Sequence, residues 1–223
     1  TIALFSNFST TVIIQQPGWW SLVRHLVGNQ MIFDCMDLHS GFEQIASGII
    51  DLESEIDATV DQIIVSSQYL LETKAKNYAE KTVCIRNGVH FSHFPFLVHP
   101  NNKEQIVVGY FGALAEWFDT QLFAALAMNN PKIRFEIIGL VSDNRITREL
   151  KEHSNIAFLG EVPNTELPSL ITQWSAGLIP FKLSPLIHAT NPVKMYEYAA
   201  SGIPVLATDI PEVRMISESL DGV

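Results

Sequence analysis

The chain has 223 residues, 47% of them hydrophobic and 17% charged, which is enough apolar mass for one or two cores and too much for intrinsic disorder. Fourteen basic against 24 acidic side chains give a net charge of −10, divided evenly as 5 against 10 in residues 1–100 and 9 against 14 in 101–223. Broad neutralisation of a nucleic-acid backbone is disfavoured by that balance, whereas a small anion needs only one or two local cations and some backbone amides.

In chain order, Thr1–Phe5 is already strand-like and no Met precedes it. The β-branched run Thr11–Gln16 stops at Pro17-Gly18, a helical segment covers Trp19–Val27, and a strand covers Met31–Cys35. Residues 41–58 carry Phe42, Ile45, Ile49, Leu52 and Ile56 at helical spacing, which puts Glu53 and Glu55 on the solvated side. Asp61–Val65 reads as a buried strand, Ser66-Ser67 as the cap of a helix over 68–79, and Thr82–Ile85 as another strand. Trp19-Trp20 and Tyr110-Phe111 read as core. Cys35 and Cys84, without CxxC or Cys/His spacing, read as buried thiols of a reducing, cytoplasmic compartment. No apolar stretch approaches the 18 or so residues that span a bilayer.

Arg86–Lys103, with Asn87-Gly88, Pro95, Pro100 and Asn101-Asn102, is rich in turn signals and carries no periodicity. The division is a first domain over 1–95, a linker over 96–104 and a second domain over 105–223. The second domain repeats the alternation: strands at 105–111, 133–139, 155–159, 176–180 and 203–207, helices near 119–129, 143–153, 165–173 and 192–201, and a final helix from 211. Alternating strands and helices predict an α/β protein of two Rossmann-like, doubly wound parallel-sheet domains, with ligand sites at the strand ends facing a cleft.

The densest chemistry lies in 188–204. Asn191 reads as an N-cap, Pro192 as the first helical residue and Gly202 as the stop. Lys194 then falls in the first turn, where the helix dipole disfavours a cation by roughly 0.3–1 kcal/mol. That placement makes physical sense if an anion shares the site, held by the ammonium and the free amides. Glu197, three residues on and on the same face, can accept hydrogen bonds from a vicinal diol such as a ribose. An ordinary surface pair between Lys194 and Glu197 is the competing reading.

The stretch Pro192-Val-Lys194-Met-Tyr-Glu197-Tyr-Ala-Ala-Ser-Gly202-Ile-Pro204-Val resembles the donor signature of GT-B nucleotide-sugar glycosyltransferases, the family-4-like glycosyl transferases group 1. Matching segments follow in order: Phe33-Asp34-Cys-Met-Asp37, Ala58–Ser67, Arg86-Asn87-Gly88-Val89-His90, Val108–Gly112 and Phe158-Leu-Gly160-Glu161-Val-Pro163. The resemblance covers nearly the whole chain. It implies that Glu197 binds the donor ribose, that Lys194 lies near the diphosphate, and that Gly112 allows close approach to the phosphates. Apart from the resemblance, His188 before the helix and Glu161 at a strand end are candidate donor contacts, against a structural histidine and a solvated turn as the competing readings, and Asn191 joins them in the donor-binding set. The first domain would lack its first strands, and the second its last helices.

Two departures from the pattern bear on mechanism. The glutamate usual eight residues before Glu197 is Ala189, and Ala115–Asp119 replaces the usual Arg and Lys after the first donor strand. A Lys-bearing helix start also resembles the inverting glucuronosyltransferase of xanthan synthesis, so retention and inversion both stay open. An inverting transfer needs a base for the acceptor hydroxyl. Asp37 is the first choice, Asp34 the second and His39 the third.

The implied activity is transfer of a sugar from a nucleotide diphosphate sugar, a UDP-sugar by preference, to a glycan or lipid-linked acceptor in polysaccharide or cell-envelope synthesis. The co-substrate takes the place of a cofactor. No DxD-type motif stands where a pyrophosphate would sit, so metal independence is expected. A cytoplasmic protein is implied, with room for peripheral attachment at the inner face of the membrane. A nucleotide-sugar epimerase of the same architecture and a non-catalytic nucleotide-sugar-binding module are the alternatives. An NAD-dependent oxidoreductase ranks last, because no GxGxxG follows a strand.

Overall fold

A computed structural model describes residues 10–26, 30–94, 96 and 105–219. The strand read at Thr1–Phe5 and most of the linker lie outside the described residues. In chain order the elements are β1 (Thr11–Ile14), α1 (Trp20–Val23), β2 (Gln30–Cys35), α2 (Ile49–Thr59), β3 (Gln62–Val65), α3 (Gln68–Tyr78) and β4 (Thr82–Cys84). They continue with β5 (Val107–Phe111), α4 (Thr120–Asn129), β6 (Arg134–Ile138), α5 (Asn144–Leu150), β7 (Ile156–Gly160), α6 (Leu167–Leu170) and β8 (Ala176–Ile179). The last are α7 (Pro185–His188), α8 (Val193–Ala200), β9 (Val205–Ala207) and α9 (Pro211–Ser219). Among the described residues, no helix is long and apolar enough to cross a membrane.

The alternation read from the sequence is present, with one regular overreach. Residues 41–48 do not join α2: a 3-10 turn at His39–Gly41 is followed by irregular chain, and the helix begins only after Gly48, at φ 81°. Gly41 could not carry a side chain in any case, since a Cβ there would stand 2.9 Å from Cβ of Leu186. The caps follow sequence logic. Ser67 accepts from the Leu70 N–H and Asp119 from the Leu122 N–H, each satisfying an otherwise orphaned helix donor.

The chain divides into two compact units: Thr1–Arg86 with Ser184–Asn191, and Asn87–Leu183 with Pro192–Val223. In the first unit the strands are parallel in the order β1-β2-β3-β4. Inward residues Ile14, Met31, Phe33, Cys35, Ile63 and Val65 pack against Trp20, Ile56, Val60, Leu70 and Ala189. The order runs one way only, so no switch point falls among the described strands. Trp20 is core, but its neighbour Trp19 is 60% exposed, and Cys84 is only part-buried. The correction for Trp19 follows from the 3-10 turn at Pro17–Trp19, which places adjacent side chains on different faces.

In the second unit the parallel order is β7-β6-β5-β8-β9. Its order reverses between β5 and β8, and in open α/β sheets ligands bind outside the carboxyl ends of the strands at such a switch point. All five residues of β5 are buried. Tyr110, Phe118, Phe123 and Phe135 form one run of edge-on and tilted rings in this core, and Phe111, Trp174 and Tyr198 a second cluster, which confirms Tyr110-Phe111 as core. Gly109 owes its identity to that packing: a Cβ there would lie 2.0 Å from the Trp174 indole.

Candidate functional site

The switch point gathers the motif residues of the second unit. Past the end of β5 the chain turns at Gly112 with φ 124°, a left-handed conformation that favours glycine. Gly139, after β6, stands so close that a Cβ on it would lie 2.1 Å from the Gly112 carbonyl oxygen. Gly112, Gly139, Glu161, Asn164 and Glu197 line one pocket of about 370 Å³. Glu161 is exposed at the end of β7, as a solvated strand end should be, and still borders this pocket.

Helix α8 is the second wall. The helix begins one residue later than the sequence reading placed it: Pro192, with ψ 116°, is the capping residue rather than the first helical one, and it offers no side-chain cap. Asn191 is therefore not the N-cap. It is buried one residue further out and belongs with the first unit. The amides of Val193 and Lys194 have no backbone acceptor among the described residues, so the helix start keeps free donors.

Lys194 is the feature that matters most. Its Nζ lies 5.4 Å from the ring centroid of Tyr110 and 4.9 Å from that of Phe181. A Cβ on Gly112 would approach it to 3.5 Å. It forms no ion pair with Glu197, so the ordinary surface pair is not what this helix carries. Burial pulls the lysine down to about 8, opposed only by the charge of Glu197. Burial also raises the Glu197 carboxyl above its ordinary range, against the pull of Lys194 and His93. A half-buried cation that forms no ion pair among the described residues, beside a glycine turn and free amides, is built for an anion.

The remaining predicted donor residues divide between the units. His188 ends α7 and, like Asn191, goes with the first unit, whereas Gly112, Glu161, Lys194 and Glu197 go with the second. Ala189, where a second glutamate was looked for, is fully buried in the core of the first unit beside Phe33 and Leu70, a poor place for a carboxylate.

Of the candidate bases, Asp34 sits inside β2 and accepts a hydrogen bond from Gln15 Nε2 at 2.9 Å. Asp37 lies just past the strand, part-buried, its carboxyl raised by burial and pulled back only by His39. His39 is itself held: its Nδ1 lies 3.0 Å from Glu53 Oε2. Glu53 accepts in turn from Lys74 Nζ at 2.6 Å, and Lys74 reaches Asp57 Oδ2 at 2.5 Å.

This buried network corrects the placing of Glu53 on a solvated face. The late start of α2 turns Glu53 toward α3, while Glu55 stays exposed and accepts from Trp20 Nε1. Cys35, His39 and Glu53 bring three ligand-type atoms within 4.8 Å of one another. The Lys74 ammonium already supplies the cation there, and burial pushes the Cys35 thiol up to about 12, so the group is a hydrogen-bonded relay.

Fold and site together define a class: an α/β protein with an anion-binding glycine turn and helix start at the switch point of a doubly wound sheet. Residues 105–223 match the family described as Glycosyl transferases group 1, and the chain belongs to that family. It is 28% identical to the protein named as the teichuronic acid biosynthesis glycosyltransferase TuaH of Bacillus subtilis (strain 168), over 87% of this chain and 54% of that protein. The chain thus spans about half the length of this curated relative. Among solved structures, sucrose-phosphate synthase from Thermosynechococcus elongatus is similar with a TM-score of 0.77 at 17% identity, covering 96% of this chain and 60% of the other. HepE of Anabaena, solved in complex with UDP-glucose, gives 0.72 at 16% identity, covering 92% and 61%. The shared fold is GT-B.

Proposed function

We propose that this chain is part of a glycosyltransferase that moves a sugar from a nucleotide diphosphate sugar to a hydroxyl of a glycan or lipid-linked acceptor. The observation that carries this reading is Lys194: a cation in the first turn of α8, unpaired, beside Gly112 at the switch point of the second unit. The ammonium and the free amides of α8 would bind the diphosphate and stabilise it as it leaves. Glu197, one turn along, would accept from the ribose hydroxyls. A UDP-sugar is the preferred donor, supported by the UDP-glucose bound to the HepE structure, and a cell-envelope acceptor by the name of the Bacillus relative.

Asp37 would take the acceptor proton in an inverting transfer. Its carboxyl, raised by burial, is a better base than a fully solvated one, and Asp34 is occupied by Gln15. A cytoplasmic protein with peripheral attachment to the membrane's inner face suits a lipid-linked acceptor.

Thermal unfolding with UDP, GDP and ADP tests the reading. UDP at 100 times its Kd stabilises the folded state by about 2.7 kcal/mol. Stabilisation by none of the three would overturn the proposal. Asp37→Asn leaves UDP affinity unchanged and lowers sugar transfer by roughly 10²–10⁴-fold, measured as UDP release with acceptor present. Transfer at the wild-type rate would remove Asp37 from the mechanism.

A further inference from the structure

A nucleotide site accounts for a cation at the start of α8, but not for the two aromatic rings that surround it. The rings come from the two strands at which the sheet order reverses: Tyr110 from β5, and Phe181 two residues past β8. Both are fixed. Tyr110 is fully buried, donates its hydroxyl to the Ala113 carbonyl at 2.8 Å and stands edge-on to Phe118 and Phe181. Phe181 is bridged in antiparallel fashion to Phe118, and the next amide, of Lys182, donates to the Trp117 carbonyl at 2.8 Å. A ring face stabilises a cation without neutralising it, so the charge stays available to an incoming ligand. A carboxylate in the same place would first have to be displaced.

We infer that Tyr110 and Phe181 are positioning residues for the donor: their ring faces hold the half-buried Lys194 ammonium beside Gly112 and out of any ion pair with the described residues, ready for the diphosphate. The inference rests on the nucleotide-sugar reading above. It has a proton-linked consequence. The titratable groups that face Lys194 are Glu197 on its own helix and Tyr110 from β5, with His93 acting on Glu197 and Tyr198 coupled to Tyr110. Burial pushes the Tyr110 and Tyr198 phenols up, so both stay neutral, and only Glu197 favours the charged lysine. With the lysine lowered to about 8, a diphosphate that binds above that pH draws a proton onto it. Affinity for the diphosphate therefore falls as the pH rises past 8, while a nucleoside lacking phosphate is spared.

Calorimetric titration of the wild type, Phe181→Leu and Phe181→Tyr with UDP and with uridine, at pH 7 and 9 in buffers of different ionisation enthalpy, tests this. At pH 7 the leucine variant weakens UDP about tenfold and leaves uridine unchanged, while the tyrosine variant, which keeps the ring, binds like wild type. At pH 9 the wild type takes up about one proton per UDP, and the leucine variant fewer because water reaches its lysine. Equal losses for UDP and uridine, wild-type UDP affinity in the leucine variant, no recovery with tyrosine, or no proton uptake by the wild type would each overturn the inference. A wild type that binds no UDP brings down the nucleotide-sugar reading itself. Should the leucine variant not fold, the wild-type proton count and the tyrosine variant still decide.

Discussion

Lys74→Met lowers the stability of the first unit at pH 7 by about 3–5 kcal/mol, the cost of removing one member of a buried ionic cluster. The ammonium lies between Glu53 and Asp57, and its side chain is only 8% exposed. Met fills the volume but leaves two nearly buried carboxylates facing each other without a cation. Asp57 is already at its limit: burial raises its carboxyl despite Lys74, and its Oδ1 is buried without a hydrogen-bond partner. Glu53, which also receives His39, is held below its ordinary value, since His39 and Lys74 together outweigh burial.

The pH dependence follows from these directions. In the wild type, the ionised Glu53 contributes stability above its unfolded pKa that is lost as the pH falls through its folded value. In the variant both carboxyls sit above their unfolded values, so the folded state binds more protons than the unfolded one and gains stability as the pH falls. The gap between the two proteins is widest at pH 7–8 and narrows toward pH 5. Denaturant unfolding of both across that range measures it. A gap of less than about 1 kcal/mol at pH 7 would mean that the cluster stabilises no more than an exposed pair does.

The cluster also shows where sequence reasoning stopped. Strand–helix alternation, and with it the two parallel sheets, was legible because a strand buried on both faces needs an apolar run and each crossover helix its own periodicity. Caps at Ser67 and Asp119 were legible because they are local. Glu53 was not, because Phe42 and Ile45 continue the helical spacing through chain that Gly41 and Gly48 keep irregular, and only a tertiary contact fixes which face of α2 points inward. A signal existed: Lys74 falls four residues after Leu70, on the apolar face of α3, and a lysine there asks for a buried partner. In the second unit Lys194 and Glu197 were legible from their spacing and Gly112 from the family resemblance. Phe181 was not, because nothing in sequence links it to a lysine 13 residues later.

Lys194→Met is expected to move stability and nucleotide affinity in opposite directions. The wild-type lysine is half-buried and forms no ion pair among the described residues; Glu197, Tyr110 and Phe181 compensate it only in part. A folded pKa of about 8 against the ordinary 10.5 corresponds to about 3 kcal/mol at 1.36 kcal/mol per unit. The sign is the reverse of an ion pair. The folded pKa is the lower one, so between pH 8 and 10.5 the unfolded chain binds more protons and wild-type stability rises with pH across that window. Met removes the charge, so the variant is more stable than the wild type by up to about 3 kcal/mol at pH 7, and the advantage disappears by about pH 10. UDP affinity meanwhile falls by roughly 10–100-fold, the loss of one charge-assisted contact. A lysine kept for packing would lose stability on substitution and leave UDP alone. A lysine in a surface pair would change neither by much. Only a cation held at a cost to the fold for the sake of an anion gives a variant that is harder to unfold and binds UDP more weakly, a site bearing strain that its ligand relieves.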